Sequence, residues 1–475
     1  MQILFVEDNS SYAETLVSAV KDKFPEIGWD VVDNSSSAEA LLDKNYYDLI
    51  ILDLCMPSVP SGLEKTVENG QQLFYSVQRL MPGTPIYILT GSELDSFATN
   101  LLRHGERIRL WGAEREFSTV LYFRKDETLE LMKELAEVYD EIVSLNAIVI
   151  NTRGKEIAFG KGQERSLQSF VRSMGGFDGV YYPLSGLSGS LVGRIEVRDE
   201  RFNVIGVFVA KLGLSSKIQR ENESYTRHVR LMPMHTFTPL LLSMGKGLKE
   251  YSAIFYTLAD DYKDTLFNIV RKDPCKAVEV IKKVRNSMER WSTARKVSRV
   301  KIGEVRRAKL DDADFNKILT QYDIEVIKDI EDVFVNISES CIHGDLHGGN
   351  ILVDQTGTPI LIDFGDVGLK YTGLDPITLE MSLIFHPDCV ASEISHEIRP
   401  FINNWPNIDR YCQDNPFREV IKYCRDWAYD ISGDDKSVLA AGYAFAVRQL
   451  KYDTISADET IFLVKRIANA IRTGS

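Results

Sequence analysis

The sequence is sparing with cysteine, holds no long apolar run and shows no surplus of positive charge. Each shortage excludes a class of protein. Its six cysteines, Cys55, Cys275, Cys341, Cys389, Cys412 and Cys424, are scattered with no CxxC pair, so neither a zinc site nor a dithiol redox motif is expected. No apolar run reaches the ~18 residues that span a bilayer. Against 69 Asp and Glu stand only 56 Lys and Arg, a net charge of -13, which argues against nucleic-acid binding, a task that calls for a basic domain. The opening MQILFVEDNS has no basic segment and turns acidic at once, unlike a signal peptide. Scattered thiols of this kind are simplest as reduced cysteines, and the expectation is a cytoplasmic protein. No internal repeat or low-complexity tract is present.

What is present suffices for more than one core. The chain has 475 residues, 44% hydrophobic and 26% charged, and length alone suggests roughly two to four domains. Residues 1–140 alternate strand-like and helix-like segments: ILFV (3–6), SYAETLVSAVKDKF (11–24), WDVV (29–32), SSAEALLDK (36–44), YDLIILDL (47–54), QQLFYSVQRL (71–80), PIYILTG (85–91), VLYF (120–123) and DETLELMKELAEVYDEIVSL (126–145). That alternation predicts a doubly wound parallel sheet. Residues 141–176 are polar and Gly-containing, suited to a linker, with a helix expected over 166–174. From 177 the texture changes to strands around a Gly/Ser cluster, VYYPLSGLSGSLVGRIEV (180–197), then a buried strand VIGVFVAKL (204–212) and a helix over 216–231. Beyond 259 the pattern is mainly helical.

In an open parallel sheet the ligand site lies at the carboxyl ends of the strands. Here the first strand ends at Glu7 and Asp8, the third at Asp53 and the fourth at Thr90, and Lys125 follows the fifth. Three carboxylates gathered together call for a cation, and oxygen donors suit Mg2+, which would ease attack of Asp53 on phosphorus. The lysine would pair with incoming phosphoryl oxygens and Thr90 would move with the new phosphate. This constellation resembles the receiver domains of bacterial two-component response regulators. The resemblance implies a flavodoxin-like five-stranded parallel sheet, phosphorylation of Asp53 by a cognate sensor histidine kinase, and pairing of receivers into a homodimer. The stretches Pro57–Asn69 and Ser92–Thr119 are longer than the receiver pattern.

HGDLHGGN (343–350) is the most informative string. Asp345 and Asn350 lie five apart, and Asp363 of IDFGD follows thirteen later. Phosphoryl transfer from ATP needs a carboxylate at the acceptor hydroxyl and Asn and Asp ligands for Mg2+. The spacing offers Asp345 as base, Asn350 and Asp363 as metal ligands and His343 as a brace, with Gly344, Gly348 and Gly349 permitting a tight loop. Upstream, Ser185, Gly186, Ser188, Gly189 and Ser190 form a candidate phosphate-covering loop. Lys211 of VFVAK is placed for the α- and β-phosphates. Glu221 or Glu223 is the expected partner of Lys211, with Glu221 preferred because Tyr225 and Val229 extend its face. AIFYTLAD (253–260) is a candidate hinge for adenine. The set resembles the aminoglycoside phosphotransferase branch of the protein-kinase-like fold. That implies a bilobal α+β domain, an N-lobe over 177–258 and a helical C-lobe over 259–475, acting on an unknown hydroxyl acceptor. GLDPITLEMSLIF (373–385) resembles the segment that follows the metal Asp in this branch.

RKVSRVKIGEVRRAK (295–309) packs seven basic residues around one acidic one. It is expected to be a solvated helix or loop face, or a salt-bridge partner for DDAD (311–314), the other reading being guidance of an anionic substrate. His347 either touches substrate or is structural. The combined expectation is a receiver controlling a kinase-like phosphotransferase. Two alternatives share the fold: a phosphorylation-controlled scaffold without turnover, and a nucleotidyl (AMP) transferase.

Overall fold

The computed structural model describes the chain except residues 61, 63, 92–101, 185–189, 258–261, 263, 294 and 475. The chain divides into two compact units, Met1–Gln219 with Pro239–Leu258, and Arg220–Thr238 with Ala259–Ser475.

The first unit begins with strands β1 (Gln2–Val6), β2 (Gly28–Val32), β3 (Leu49–Asp53), β4 (Ile86–Thr90) and β5 (Val120–Arg124), all parallel in the order 2-1-3-4-5. This is the doubly wound parallel sheet expected from the alternation, in the flavodoxin-like order that the resemblance implies. Every residue of β3 is buried, as a strand covered on both faces requires. Helices α1 (Ser10–Lys23), α2 (Ser35–Lys44) and α3 (Val67–Leu80) each start at an N-cap side chain that takes a backbone N–H: Asn9 from Tyr12, Asn34 from Ser37 and Thr66 from Asn69. The Thr66 cap explains why α3 begins four residues before the expected 71. Helix α4 (Thr128–Asn146) closes the sheet.

The segment 141–176, expected to be a linker around a helix at 166–174, holds helix α5 (Lys161–Ser173), most of it buried. A six-stranded sheet follows: β6 (Ile150–Asn151), β7 (Asp178–Pro183), β8 (Leu191–Arg198), β9 (Val204–Leu214), β10 (Leu240–Met244) and β11 (Tyr251–Thr257), in the order 6-7-8-9-11-10. All its pairings are antiparallel except β6 with β7. One continuous apolar core joins Ile3, Phe5 and Ile51 of the parallel sheet to Leu135 and Ile142 of α4, Leu167 and Phe170 of α5, and Ala210 and Phe255 of the second sheet. The Phe170 and Phe255 rings stack at 3.8 Å. The unusual stretch before β5 enters the same core through Leu110 and Trp111. Gly112, at φ +71, comes so close to α5 that a Cβ would lie 2.2 Å from the Ser169 carbonyl oxygen.

An ion pair is buried in this unit. Arg165 of α5 donates to both oxygens of Asp48, at 3.0 and 3.3 Å, and to Asn146 Oδ1 at 2.5 Å. Gln2 N donates to Asp48 Oδ2 at 2.9 Å. Both charged side chains are 2% exposed.

Helix α6 (Ser215–Arg227) runs from the first unit into the second. The second unit then holds β12 (Asp264–Thr265), α7 (Leu266–Lys272), α8 (Pro274–Ser287), β13 (Lys296–Lys301), α9 (Ile302–Arg307), β14 (Phe334–Ile342), β15 (Ile351–Val353), β16 (Pro359–Leu361) and β17 (Gly368–Tyr371). Among its further helices are α10 (Leu374–Phe385), α11 (Arg418–Ser432), α12 (Asp435–Gln449) and α13 (Ala457–Thr473). Two small antiparallel sheets, 12-15-16 and 13-14-17, interrupt the helices. The basic stretch 295–309 is therefore not a helix or loop face throughout: Lys296–Lys301 is a strand paired with β14. Helix α10 is buried on all sides and packs on α11 and α12. Inside, Arg425 donates to both Glu380 oxygens at 2.9 and 2.7 Å, and both side chains are fully buried.

Asp48→Ala leaves Arg165 charged and unpaired in the core. The expected loss is about 3–5 kcal/mol of unfolding free energy, checked by urea denaturation of the full chain. A loss below about 1 kcal/mol would show that water reaches Arg165.

Candidate functional site

Two sets of side chains matter, one in each unit. In the first, β1, β3 and β5 deliver their ends to one edge of the parallel sheet. Ligand oxygens of Glu7, Asp8 and Asp53 all lie within 4.8 Å of one another. Glu7 and Asp53 are 1% and 5% exposed. Burial raises the pKa of both carboxyls above the ordinary range, and Lys125 opposes the rise. Lys125 Nζ donates to Glu7 Oε1 at 2.8 Å and Asp53 Oδ2 at 3.0 Å, and lies 5.1 Å from the centre of the Tyr12 ring. Cys55 N donates to Asp53 Oδ1 at 3.3 Å. Thr90 ends β4 half-buried, and its carbonyl accepts the Lys125 N–H at 2.9 Å. The long loop after Asp53 folds back, pairing Met56–Pro57 with Lys65–Thr66, and brings Lys65 into an ion pair with Asp8. The sequence reading missed Lys65; nothing in a loop lysine singles it out before the hairpin is known. Hard oxygen donors packed this tightly suit Mg2+.

In the second unit the strand β14 ends at Ile342, and the loop that follows is held from behind. His343 and Gly344 donate their N–H groups to the two oxygens of Asp375, at 2.7 and 2.8 Å. Asp375 sits in the first turn of α10, 1% exposed, and burial raises its pKa. His343 is wholly buried, with Nε2 3.0 Å from the Ile362 carbonyl oxygen. That joins the loop to the strand end carrying Asp363. Asn350 Nδ2 donates to the Asp345 carbonyl at 2.9 Å, which leaves Asn350 Oδ1 for a metal. Ile362 N donates to the Asn350 carbonyl at 3.1 Å, so the two candidate metal ligands stand on hydrogen-bonded backbone. Gly344 has φ +82, and a Cβ there would meet the Asp366 carbonyl oxygen at 2.3 Å. Asp363 itself takes φ 61, a left-handed backbone that costs of order 1–3 kcal/mol for a residue other than glycine.

The Asp345 carboxylate is 30% exposed. Burial acts to raise its pKa, but the positive charge of Lys309 and Arg448 outweighs it and holds the group below the usual carboxylate range. His347 is not on a flexible tether: its Nδ1 accepts the Gly349 N–H at 3.2 Å and its ring lies parallel to Phe267. Burial lowers its pKa to about 4, so it is neutral at physiological pH.

The remaining expected residues fall on both units. Lys211 on β9 is 8% exposed and belongs to the first; Glu221 on α6 is 2% exposed and belongs to the second. Glu223 is exposed, while Tyr225 and Val229 are buried with Glu221. Within the second unit the Tyr225 ring lies 5.7 Å from Phe364, next to Asp363. Ser185, Gly186, Ser188 and Gly189 lie outside the described residues, as do 258–260 of the expected hinge; Ser190 is described, with its Oγ close to Gly213. Asp375 was missed as a functional residue, although an acid inside the apolar run GLDPITLEMSLIF is a signal that could have found it.

The first sheet, with its carboxylates and lysine at the strand ends, is a receiver, and the second unit carries a kinase-like phosphotransferase fold. Residues 3–107 match the response regulator receiver domain, and residues 282–385 match the phosphotransferase enzyme family. The chain thus carries a response regulator receiver domain and an aminoglycoside phosphotransferase-like domain. Among solved structures it is similar to the Francisella response regulator 1452 receiver domain, at 19% identity over 30% of this chain and 98% of that one, TM-score 0.22. A receiver domain from Colwellia psychrerythraea 34H matches at 21% identity over 30% and 98%, TM-score 0.22. A thermostable mutant of the aminoglycoside phosphotransferase APH(4)-Ia matches at 12% identity over 62% and 94%, TM-score 0.37. No curated protein matches the chain. Among the described residues no helix is long and apolar enough to cross a membrane.

Asp375→Ala strips the acceptor from two backbone N–H groups. At about 1–3 kcal/mol for each donor left unsatisfied, chemical denaturation should show a loss of about 2–6 kcal/mol. An unchanged midpoint would mean that the loop stands without this brace.

Proposed function

We propose that this protein is a response regulator of the cytoplasm, phosphorylated on Asp53 by a sensor histidine kinase, and that its receiver controls transfer of the ATP γ-phosphate to a hydroxyl acceptor. The observation that carries the reading is the loop 343–350, held by Asp375 with the Asp345 carboxylate left accessible and Asn350 bonded to the strand end that bears Asp363.

In the receiver, Glu7, Asp8 and Asp53 hold Mg2+, Asp53 is the phosphoryl acceptor, and Lys125 pairs with the phosphoryl oxygens. Thr90 follows the new phosphate and carries the change to the face used for pairing with a second copy. In the phosphotransferase, Lys211 binds the α- and β-phosphates. Asn350 and Asp363 hold Mg2+, which supplies charge neutralisation along the phosphate chain. The acceptor oxygen forms a bond to the γ-phosphorus, the bond from that phosphorus to the β,γ-bridging oxygen breaks, and ADP leaves with the electron pair. Asp345 takes the hydroxyl proton and His343 keeps the loop in register.

Incubation of the full chain with Mg2+ and acetyl phosphate is expected to add one phosphoryl group by intact mass, and none to Asp53→Asn. With Mg-ATP, Asp345→Ala is expected to form ADP roughly 100-fold more slowly or worse. Uptake of phosphate by Asp53→Asn overturns the first assignment. Undiminished ADP from Asp345→Ala overturns the second, and AMP as product redirects the reaction to nucleotidyl transfer.

A further inference from the structure

The basic stretch 295–309 does not act as one surface. Arg306 is buried between Glu331 and Asp312, Arg307 bonds Asp312, and Lys301 bonds Asp332. Lys309 is different. It leaves the stretch toward the catalytic loop and donates to the Gly344 carbonyl at 2.5 Å. That spends one of its N–H bonds; burial lowers its pKa, against which Asp345, Asp375 and Asp366 act to keep the proton on, and as an ammonium it carries further N–H bonds to give.

A second cation reaches the same point from the far end of α12. Arg448 Nη1 lies 3.9 Å from Asp345 Oδ1, while the other oxygen of that carboxylate faces His347, 3.8 Å away. Among the described residues the Arg448 guanidinium makes no hydrogen bond; it lies 5.7 Å from the centre of the Tyr452 ring, and its charge reaches Lys309. A guanidinium is a planar fork of donors matched to phosphate and carboxylate. Placed 29% exposed beside the base, it still has its donors to give. Several of the other charged groups around the loop are already engaged. Lys370 Nζ, 3.5 Å from Asp366, neutralises that acid. His347 and His386 have pKa values lowered by burial. Asp375 is spent on the loop backbone.

We propose that the acceptor alcohol bears an anionic group of its own, a phosphate or a carboxylate, and that Lys309 and Arg448 hold this group while Asp345 takes the proton from the reacting hydroxyl. The inference rests on the phosphotransferase reading and narrows its substrate to hydroxyl-bearing anions. Arg448 is a specificity-determining residue on this account, set against neutral and cationic alcohols that leave both cations unpaired.

The test uses the full chain with Mg-ATP and matched acceptors: glycerol against glycerol 3-phosphate and glycerate, glucose against glucose 6-phosphate, and ethanolamine, with one arm lacking any acceptor. ADP and phosphorylated product are both measured. The anionic acceptors are expected to exceed their neutral partners in kcat/KM by roughly tenfold or more. A lead of the phosphates over glycerate, or the reverse, identifies which anion fits. Arg448→Gln is expected to raise the KM of the anionic acceptor roughly tenfold, with a smaller change in the KM for ATP, and Arg448→Lys to restore part of it. Equal or better use of neutral or cationic acceptors overturns the inference. So does an Arg448→Gln defect that falls alike on ATP and on acceptors of every charge, or phosphorylation of none of the panel. The arm without acceptor keeps the two claims apart: slow ADP formation lost in Asp345→Ala leaves the phosphotransferase reading standing when the anion preference fails, and no ADP in any arm removes both.

Discussion

A single buried carboxylate sets the position of the loop 343–350. Asp375 accepts the N–H groups of His343 and Gly344 on its two oxygens, and it can do so because α10 is buried along its whole length and starts there. Water is excluded, so each bond counts for more and each loss leaves an unsatisfied donor. Everything downstream follows from that anchorage. Gly344 takes a backbone angle only glycine adopts easily, Asp345 projects from the loop, Asn350 closes back on the Asp345 carbonyl, and His343 reaches the residue before Asp363.

The first unit shows a different constraint. Its parallel sheet and its six-stranded sheet share one apolar core, with α4 and α5 between them. Strand β3 is where the two matters meet: Asp48, just before it, holds the buried Arg165 of α5, and Asp53, its last residue, carries the acidic cluster. Polar ties outside the core add to this. Tyr46 Oη donates to the Gly247 carbonyl at 2.7 Å, Gly247 N donates to the Pro82 carbonyl at 2.8 Å, and Lys249 Nζ donates to the Asp43 carbonyl at 2.8 Å. A rearrangement at the strand ends would therefore be transmitted into a packed assembly that resists continuous deformation.

Much of this was written in short stretches of sequence. The run YDLIILDL announces a fully buried strand ending in an acid, because both hydrophobic faces and the terminal carboxylate are contiguous. HGDLHGGN with IDFGD marks the loop 343–350 and Asp363 because the residues that define them are contiguous. What stayed hidden was what depends on distant partners. Residues 141–176 read as a linker because α5 carries Lys161, Gln163, Glu164, Arg165 and Gln168, and only tertiary structure shows Arg165 neutralised by Asp48, 117 residues away. The stretch before β5 looked anomalous because its glycine lets the chain pass close to a helix that comes later, α5. Arg448 lies 103 positions beyond Asp345 (448 − 345), and no local pattern connects an arginine near a helix end with a carboxylate in a loop.

The central claim is that the receiver governs the phosphotransferase. Its most direct test is the rate of ADP formation from Mg-ATP by the full chain, measured with and without acetyl phosphate, in wild type and in Asp53→Asn. The account predicts a rate that changes on addition of acetyl phosphate in wild type and stays constant in Asp53→Asn. Rates that are the same in all four conditions, with Asp53 shown to be phosphorylated in wild type, would contradict it.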